Sequence, residues 1–394
     1  MRFLGVCWLL SSLVVAGLLV SCRTDEPAPP TQPYAANLGD LLRFWKRNER
    51  CNSNLLPPPA IFRSTVHDSA GRPQLDFELR LAARPLGLRH QVVRLSNPSG
   101  LRGRPLGTSV IYQRHLVALY APGSFACFRL ADFSRNKRLE AALNTAAFER
   151  HWVLNQQLIG WRQGQAHCFD SLQRQWQPYA GPLPFGKGPK LFEDEQFICA
   201  TDCQGEFGGH VYFFDKRTGL THHTTATCAT TVWKRHGKYH ILASLLSDAK
   251  SGVVEAPEKL PLVSESLNQA QSWEYSDLAG LVSDPLVKRT FYHWIAMPGC
   301  FQWHQQTLYL VTWREATFLA TINQRTITAV DPLFIEATAA HNSIAVNYAP
   351  DLTLLSLPHY EKGNSEEASC LVVQGSLLTK IEWGTQPKQY SYCN

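Results

Sequence analysis

The 394-residue chain has only two methionines, and it contains no GxSxG, HExxH, GxGxxG or Walker sequence. The nucleophile-elbow, zinc-protease and phosphate-loop chemistries therefore lack a starting motif. There is no CxxC pair, and the Cys199-xxx-Cys203 spacing has no second pair at finger-like distance, so neither a metal nor any other cofactor is expected. No Asp or Glu occurs from Leu79 to Ala131, where Arg80, Arg84, Arg89, Arg94, Arg102, Arg104, Arg114 and Arg129 all fall. Guanidinium groups in an acid-free stretch suit phosphate or an acidic glycan, although arginines spread over both faces of strands are simply solvated. The net charge of +6 is modest.

What the chain does have begins at its first residues. Arg2 precedes an uncharged run from Phe3 to Val20, and no basic anchoring cluster follows. That is the profile of a signal peptide and not of a stop-transfer helix. The run ends in Leu19-Val20-Ser21-Cys22, which resembles the bacterial lipoprotein box. The resemblance implies cleavage before Cys22 and acylation of that residue, with two or more chains giving a stable anchor. A plain secretory signal cleaved elsewhere is the alternative. Arg23 after the cysteine implies passage to the outer membrane, and Asp25-Glu26 resembles an acidic surface-export tag. The expected location is thus the outer membrane, on its periplasmic face or at the cell surface. Nucleic acid is not expected as a partner.

Residues 1–21 therefore read as signal peptide and 22–36 as a Pro-rich tether, extended and semi-rigid from Asp25 to Pro33. Residues 37–107 read as a helix and hairpin segment, and 108–394 as the main body. Asn37 to Arg50 places Leu38, Leu41, Leu42 and Trp45 on one helical face, the only helix expected in the first third. Leu75 to Leu81 alternates strictly, and Val92, Val93 and Leu95 make a shorter strand, together an antiparallel pair.

Setting aside Cys7 in the signal and Cys22, nine cysteines remain, and an oxidising compartment makes them candidate staples. The preferred pairings are Cys199 or Cys203 with Cys228, and Cys370 with Cys393.

The main body repeats one format: a short apolar strand, a tight turn, and a second strand closing in an aromatic with Asp or Asn before a basic or polar turn. Copies begin near Leu116, Leu158, Phe197, Leu308 and Ser343, and Tyr239 to Leu245 supplies another strand. Where copies are consecutive they lie about 35 to 50 residues apart, the span of a four-stranded blade. The chain resembles β-propeller repeat proteins, though without the Trp-Asp ending or the Kelch double glycine. That resemblance implies an all-β ring of six or seven blades, each sheet needing neighbours to bury its faces. A pair of β-sandwiches is the competing architecture.

Chemistry, if present, is expected at Asp194, Glu195, Asp202 and Glu206, which precede or accompany His210, His222, His223, His236 and His240. Two carboxylates across a propeller funnel would serve glycoside cleavage. His222 and His223 cannot share an ion if their strand is regular, because neighbours point to opposite faces. Trp161, Trp176, Trp233, Trp273, Trp294, Trp303 and Trp313 are expected mostly between blades, with one or two exposed to stack on sugar or hold peptide. The favoured reading is a lipid-anchored module binding glycan or protein without catalysis. The alternatives are a polysaccharide hydrolase or lyase and a structural subunit of an envelope assembly.

Overall fold

The structure is a computed structural model that describes residues 37–48, 55–97, 103–183, 188–203, 208–245, 250–256, 260, 288–293, 295–334, 343–361 and 364–384. Helix α1 (Leu38–Asn48) and strands β1 (Ala60–His67), β2 (Pro73–Leu81) and β3 (Arg89–Leu95) come first. Blade 1 follows with β4 (Val110–Tyr112), β5 (His115–Tyr120) and β6 (Ser124–Arg129), then helix α2 (Lys137–Leu143). Blade 2 is β7 (Arg150–Leu154), β8 (Gln157–Arg162), β9 (Gln165–Asp170) and β10 (Gln175–Pro178). Blade 3 is β11 (Lys190–Glu193), β12 (Phe197–Cys203), β13 (Gly209–Asp215) and β14 (Thr221–Thr225). Blade 4 is β15 (Ala229–Arg235), β16 (Lys238–Leu245), β17 (Lys250–Glu255) and β18 (Lys288–Tyr292). Blade 5 is β19 (Ala296–Trp303), β20 (Gln306–Trp313), β21 (Ala316–Asn323) and β22 (Thr326–Phe334). Blade 6 is β23 (Ile344–Ala349), β24 (Leu352–Glu361), β25 (Asn364–Gln374) and β26 (Leu377–Trp383).

These six sheets form a six-bladed β-propeller. Each is an antiparallel meander with its first strand nearest the axis, and six apolar clusters fill the seams between successive sheets. Leu95, Ile111, Leu116, Tyr120 and Phe128 pack on Leu354, Val372, Ile381 and Trp383, so blade 1 meets blade 6 and the ring closes. Among the described residues no helix is long and apolar enough to cross a membrane.

The antiparallel pairing expected for Leu75–Leu81 with Val92–Leu95 does not form. β2 pairs with β1 and lies parallel to β22 in blade 5, whereas β3 lies parallel to β26 in blade 6. A seven-residue connector between β2 and β3, residues 82–88, carries the chain from blade 5 to blade 6, longer than a tight hairpin turn. α1 forms where expected, with Asn37 accepting the Asp40 N–H at 3.0 Å. Its buried Trp45 packs edge-on against Trp313, ring centroids 4.9 Å apart, tying the helix to blade 5.

Blade 1 has three strands, and α2 stands in the place of the fourth. Asn136 caps the helix by accepting the Leu139 N–H at 3.1 Å, ahead of Lys-Arg-Leu-Glu-Ala-Ala-Leu, a run of strong helix formers. A helix cannot continue a ladder, so its side chains satisfy the outer edge of β6. Asn144 accepts from the Phe125 N–H at 2.7 Å and donates to the Phe125 carbonyl at 2.9 Å. Glu140 accepts the Cys127 N–H at 3.0 Å and pairs with Arg135 at 2.6 Å.

The repeated aromatic-Asp ending also has a physical cause. Asp170 accepts the N–H groups of Leu172 and Gln173 at 2.8 and 3.0 Å, and Asp215 accepts those of Arg217 and Thr218 at 2.8 and 2.9 Å. Each aspartate closes the turn between the third and fourth strands of its blade. The amides of Thr218 and Arg217 hold the Asp215 carboxyl below its usual range.

The inner strands approach so closely at one side that the axis is plugged. A Cβ on Gly299 would lie 2.9 Å from both Ala345 Cβ and Leu355 Cδ2, and 3.6 Å from Thr231 Oγ1. Gly299→Ala should therefore lower the unfolding free energy by about 1–3 kcal/mol, as overpacking does, measured by urea denaturation.

Candidate binding site at the propeller axis

The alternation of strands separates the carboxylates singled out in the sequence. Call the end of the ring where the inner strands begin its upper face, and the other end its lower face. Asp194 lies in the turn before β12, beside Phe197 on the lower face, and Asp202 near the upper end of β12, about 17 Å away at the rise of a strand. A glycosidase pair needs about 10 Å or less. Asp194 accepts from the N–H groups of Gln196 and Phe197 at 2.9 and 2.8 Å, and from Tyr239 Oη and Lys234 Nζ at 2.8 and 3.1 Å. Burial pushes its carboxyl up, but the Phe197 N–H, Tyr239 hydroxyl and Lys234 ammonium outweigh that and leave it below its usual range. It is a fixed anion joining blade 3 to blade 4. Glu195 is exposed on the same turn, and Glu206 lies outside the described residues.

Asp202 accepts the His210 N–H at 2.5 Å and the Tyr212 hydroxyl at 3.2 Å. His223 is the cross-strand partner of Tyr212 and His222 that of Phe213, so the two histidines do point to opposite faces. Burial lowers the pKa of both His210 and His223. Among the described residues no three His, Cys, Asp or Glu side chains are placed to hold a metal ion.

Cys203 is bonded to Cys228, whose neighbour opens β15, so the disulfide staples blade 3 to blade 4 on the upper face. Cys199 and Cys370 are buried free thiols, and Cys393 and Cys22 lie outside the described residues. Trp233 and Trp313 are core, Trp161, Trp176 and Trp303 are half-buried, and Trp273 and Trp294 are outside the described residues. No described tryptophan is exposed.

The cavity the structure does form was not foreseen. A pocket of about 20 Å³, room for a water-sized group, lies beside the plug, between strands of blades 6, 1, 2 and 3. Thr108, Ser109 and Ser356 offer hydroxyls to its wall, Trp152 and Tyr348 offer rings, and Lys190 is its one charged residue. Lys190 Nζ lies 2.9 Å from Glu193 Oε2, and Lys216 Nζ lies 2.8 Å from Oε1 of the same glutamate. Two ammonium groups thus share one carboxylate, and neither Glu193 nor Lys216 lines the pocket. Burial lowers the Lys190 pKa, while Glu193 is held below its usual range by the lysines despite its own burial.

Behind the wall lies Glu367, 1% exposed. Its carboxylate accepts from Ser109 Oγ at 2.5 Å, the Ser109 N–H at 3.1 Å and Trp383 Nε1 at 2.9 Å, and from the Ser356 hydroxyl. Burial nevertheless raises its pKa above the usual carboxylate range. These residues come from strands spread across the chain and form no local motif, so only the fold brings them together.

No protein-family model matches the chain, and no curated protein matches it. Among solved structures it is similar to the N-terminal domain of Nup159, with a TM-score of 0.32 and 8% identity over 73% of this chain and 81% of that one. It is also similar to the AfRom2 CNH domain, at 0.31 and 9% over 69% of this chain and 91% of that one. A third is PorZ, a bacterial surface component of the type-IX secretion system of Porphyromonas gingivalis, at 0.26 and 12% over 84% of this chain and 44% of that one. Likeness at this level carries no argument about function.

Proposed function

We propose that the chain is a lipid-anchored envelope module, held at the outer membrane through Cys22, that binds an acidic glycan without catalysis, one carboxylate of the sugar entering its axial pocket. The observation that carries the binding reading is the pocket itself: Lys190 is the one charged residue of its lining, no carboxylate lines it, and its size suits one small anionic group. An ammonium among apolar and hydroxyl-bearing residues suits a uronic carboxylate.

Titration calorimetry with a uronic-acid oligosaccharide and its neutral counterpart tests this. Lys190→Met should weaken the acidic oligosaccharide by about tenfold and leave the neutral one unchanged, since Lys216 still holds Glu193. Equal affinity for both sugars, or for neither, would refute the acidic-glycan reading. The anchor is tested separately: at high salt, Cys22→Ser should move the chain from the membrane to the soluble fraction.

A further inference from the structure

Between blades 1 and 3 the lower face displays two leucines and more exposed basic than acidic side chains. Leu172 is 93% exposed and Leu220 is 50% exposed, the two most exposed large apolar side chains described. Both sit in turns between the third and fourth strands of adjacent blades, and Arg174 and Arg217 are exposed in the same two turns. Blade 1 adds Arg114 in its first turn, with Lys137 and Arg138 where α2 begins, all exposed on this face.

The aspartates of these turns are turned onto backbone, and the five exposed basic side chains outnumber the exposed carboxylates of the same turns, Asp132 and Glu195. Asp170 and Asp215 accept the amides of their own turns, and Asp132 accepts the Ser134 N–H and hydroxyl at 2.9 and 2.7 Å. What projects past them is leucine and guanidinium.

We propose that this face seats on an anionic lipid surface, with the two leucine tips entering the headgroup boundary and the arginines and lysines meeting lipid phosphates. Isolated leucines on separate turns do not make the contiguous apolar patch that a protein partner buries. A fluid bilayer accepts separate apolar tips, and its surface potential rewards each nearby basic residue. The cavity lining includes the first residues of β4, β11 and β23, at the opposite end of the strands, so a chain seated this way keeps its cavity toward the medium. The seat does not require a lipid on Cys22.

The test is amide hydrogen exchange of the full chain mixed with vesicles. Over residues 171–175 and 216–221, exchange should slow by roughly threefold or more on phosphatidylcholine containing phosphatidylglycerol, relative to phosphatidylcholine alone. High salt should remove the basic contribution. Arg174→Glu with Arg217→Glu should abolish the protection without shifting the unfolding midpoint, and Leu172→Ser with Leu220→Ser should reduce it. Equal exchange on the two vesicle types overturns the proposal. So does protection by soluble polyglutamate but not by vesicles, which would indicate an acidic protein partner. A chain released from neutral vesicles yet protected on anionic ones supports the seat and counts against the anchor alone.

Discussion

Replacing Glu367 by alanine should lower the unfolding free energy by about 2–5 kcal/mol, as stranding two buried donors does. The alanine leaves the Ser109 and Trp383 N–H groups without their acceptor at the seam where blade 1 meets blade 6. An unmatched buried donor costs its full desolvation. Urea denaturation followed by tryptophan fluorescence measures the loss. Glu367→Gln isolates the charge. Because burial raises this pKa above its unfolded value, the fold favours the protonated carboxyl. Its contribution is complete below the unfolded value of 4.5 and is lost as pH rises through the folded one. The stability of the wild type relative to Glu367→Gln should therefore be greatest below the unfolded value of 4.5 and decline as pH rises above it. A difference that grows with pH would contradict the raised pKa.

Glu140→Ala should cost about 2–4 kcal/mol, through two losses at once. The Cys127 N–H on the outer edge of β6 loses its acceptor, and Arg135 loses its carboxylate. Hydrogen exchange at Cys127 should quicken more than at the inner strands β4 and β5, since only the outer edge depends on the helix. Equal change throughout blade 1 would indicate that α2 acts by packing and not by completing the edge. Glu140→Gln keeps an acceptor for the amide and should recover part of the loss.

The propeller was legible because its signal is carried by apolar runs at blade spacing and by the recurring aromatic-Asp ending, and both have direct structural causes in the seams and the closing turns. The number of blades was left between six and seven because the fourth copy has only one clear strand in sequence, Tyr239–Leu245, with β17 and β18 separated by a long connection.

The tight turns were harder to read. Gln113-Arg114, Asn155-Gln156, His304-Gln305 and Arg314-Glu315 all take positive φ without glycine, so the Asn-Gly or Asp-Gly pairs that usually announce such hairpins are absent. α2 was missed although Asn136 and the following helix formers signalled it, because a helix interrupting a strand repeat contradicts the period around it. The pairing of β2 and β3 was misjudged for a different reason: parallel partners hundreds of residues away leave no local trace. The same holds for the cavity. Lys190, Ser109 and Ser356 read as ordinary polar residues on three separate strands, and the carboxylate pair that looked promising in sequence is divided by the length of one strand.

The parallel strands β2 and β3 have a consequence for the order in which the protein can be built. Arg94 of β3 bonds Glu382 of β26 across 288 residues, and β2 waits for β22 over nearly as great a separation. A chain delivered N-terminus first thus exposes its earliest strands, edges unpaired, until the final two blades have emerged. Contacts this remote close late and slowly, and blades 1 to 4 can assemble meanwhile from neighbours alone. The last event in biogenesis is then the capture of the first strands by the last sheets, and the interval before it is when a holding chaperone matters most.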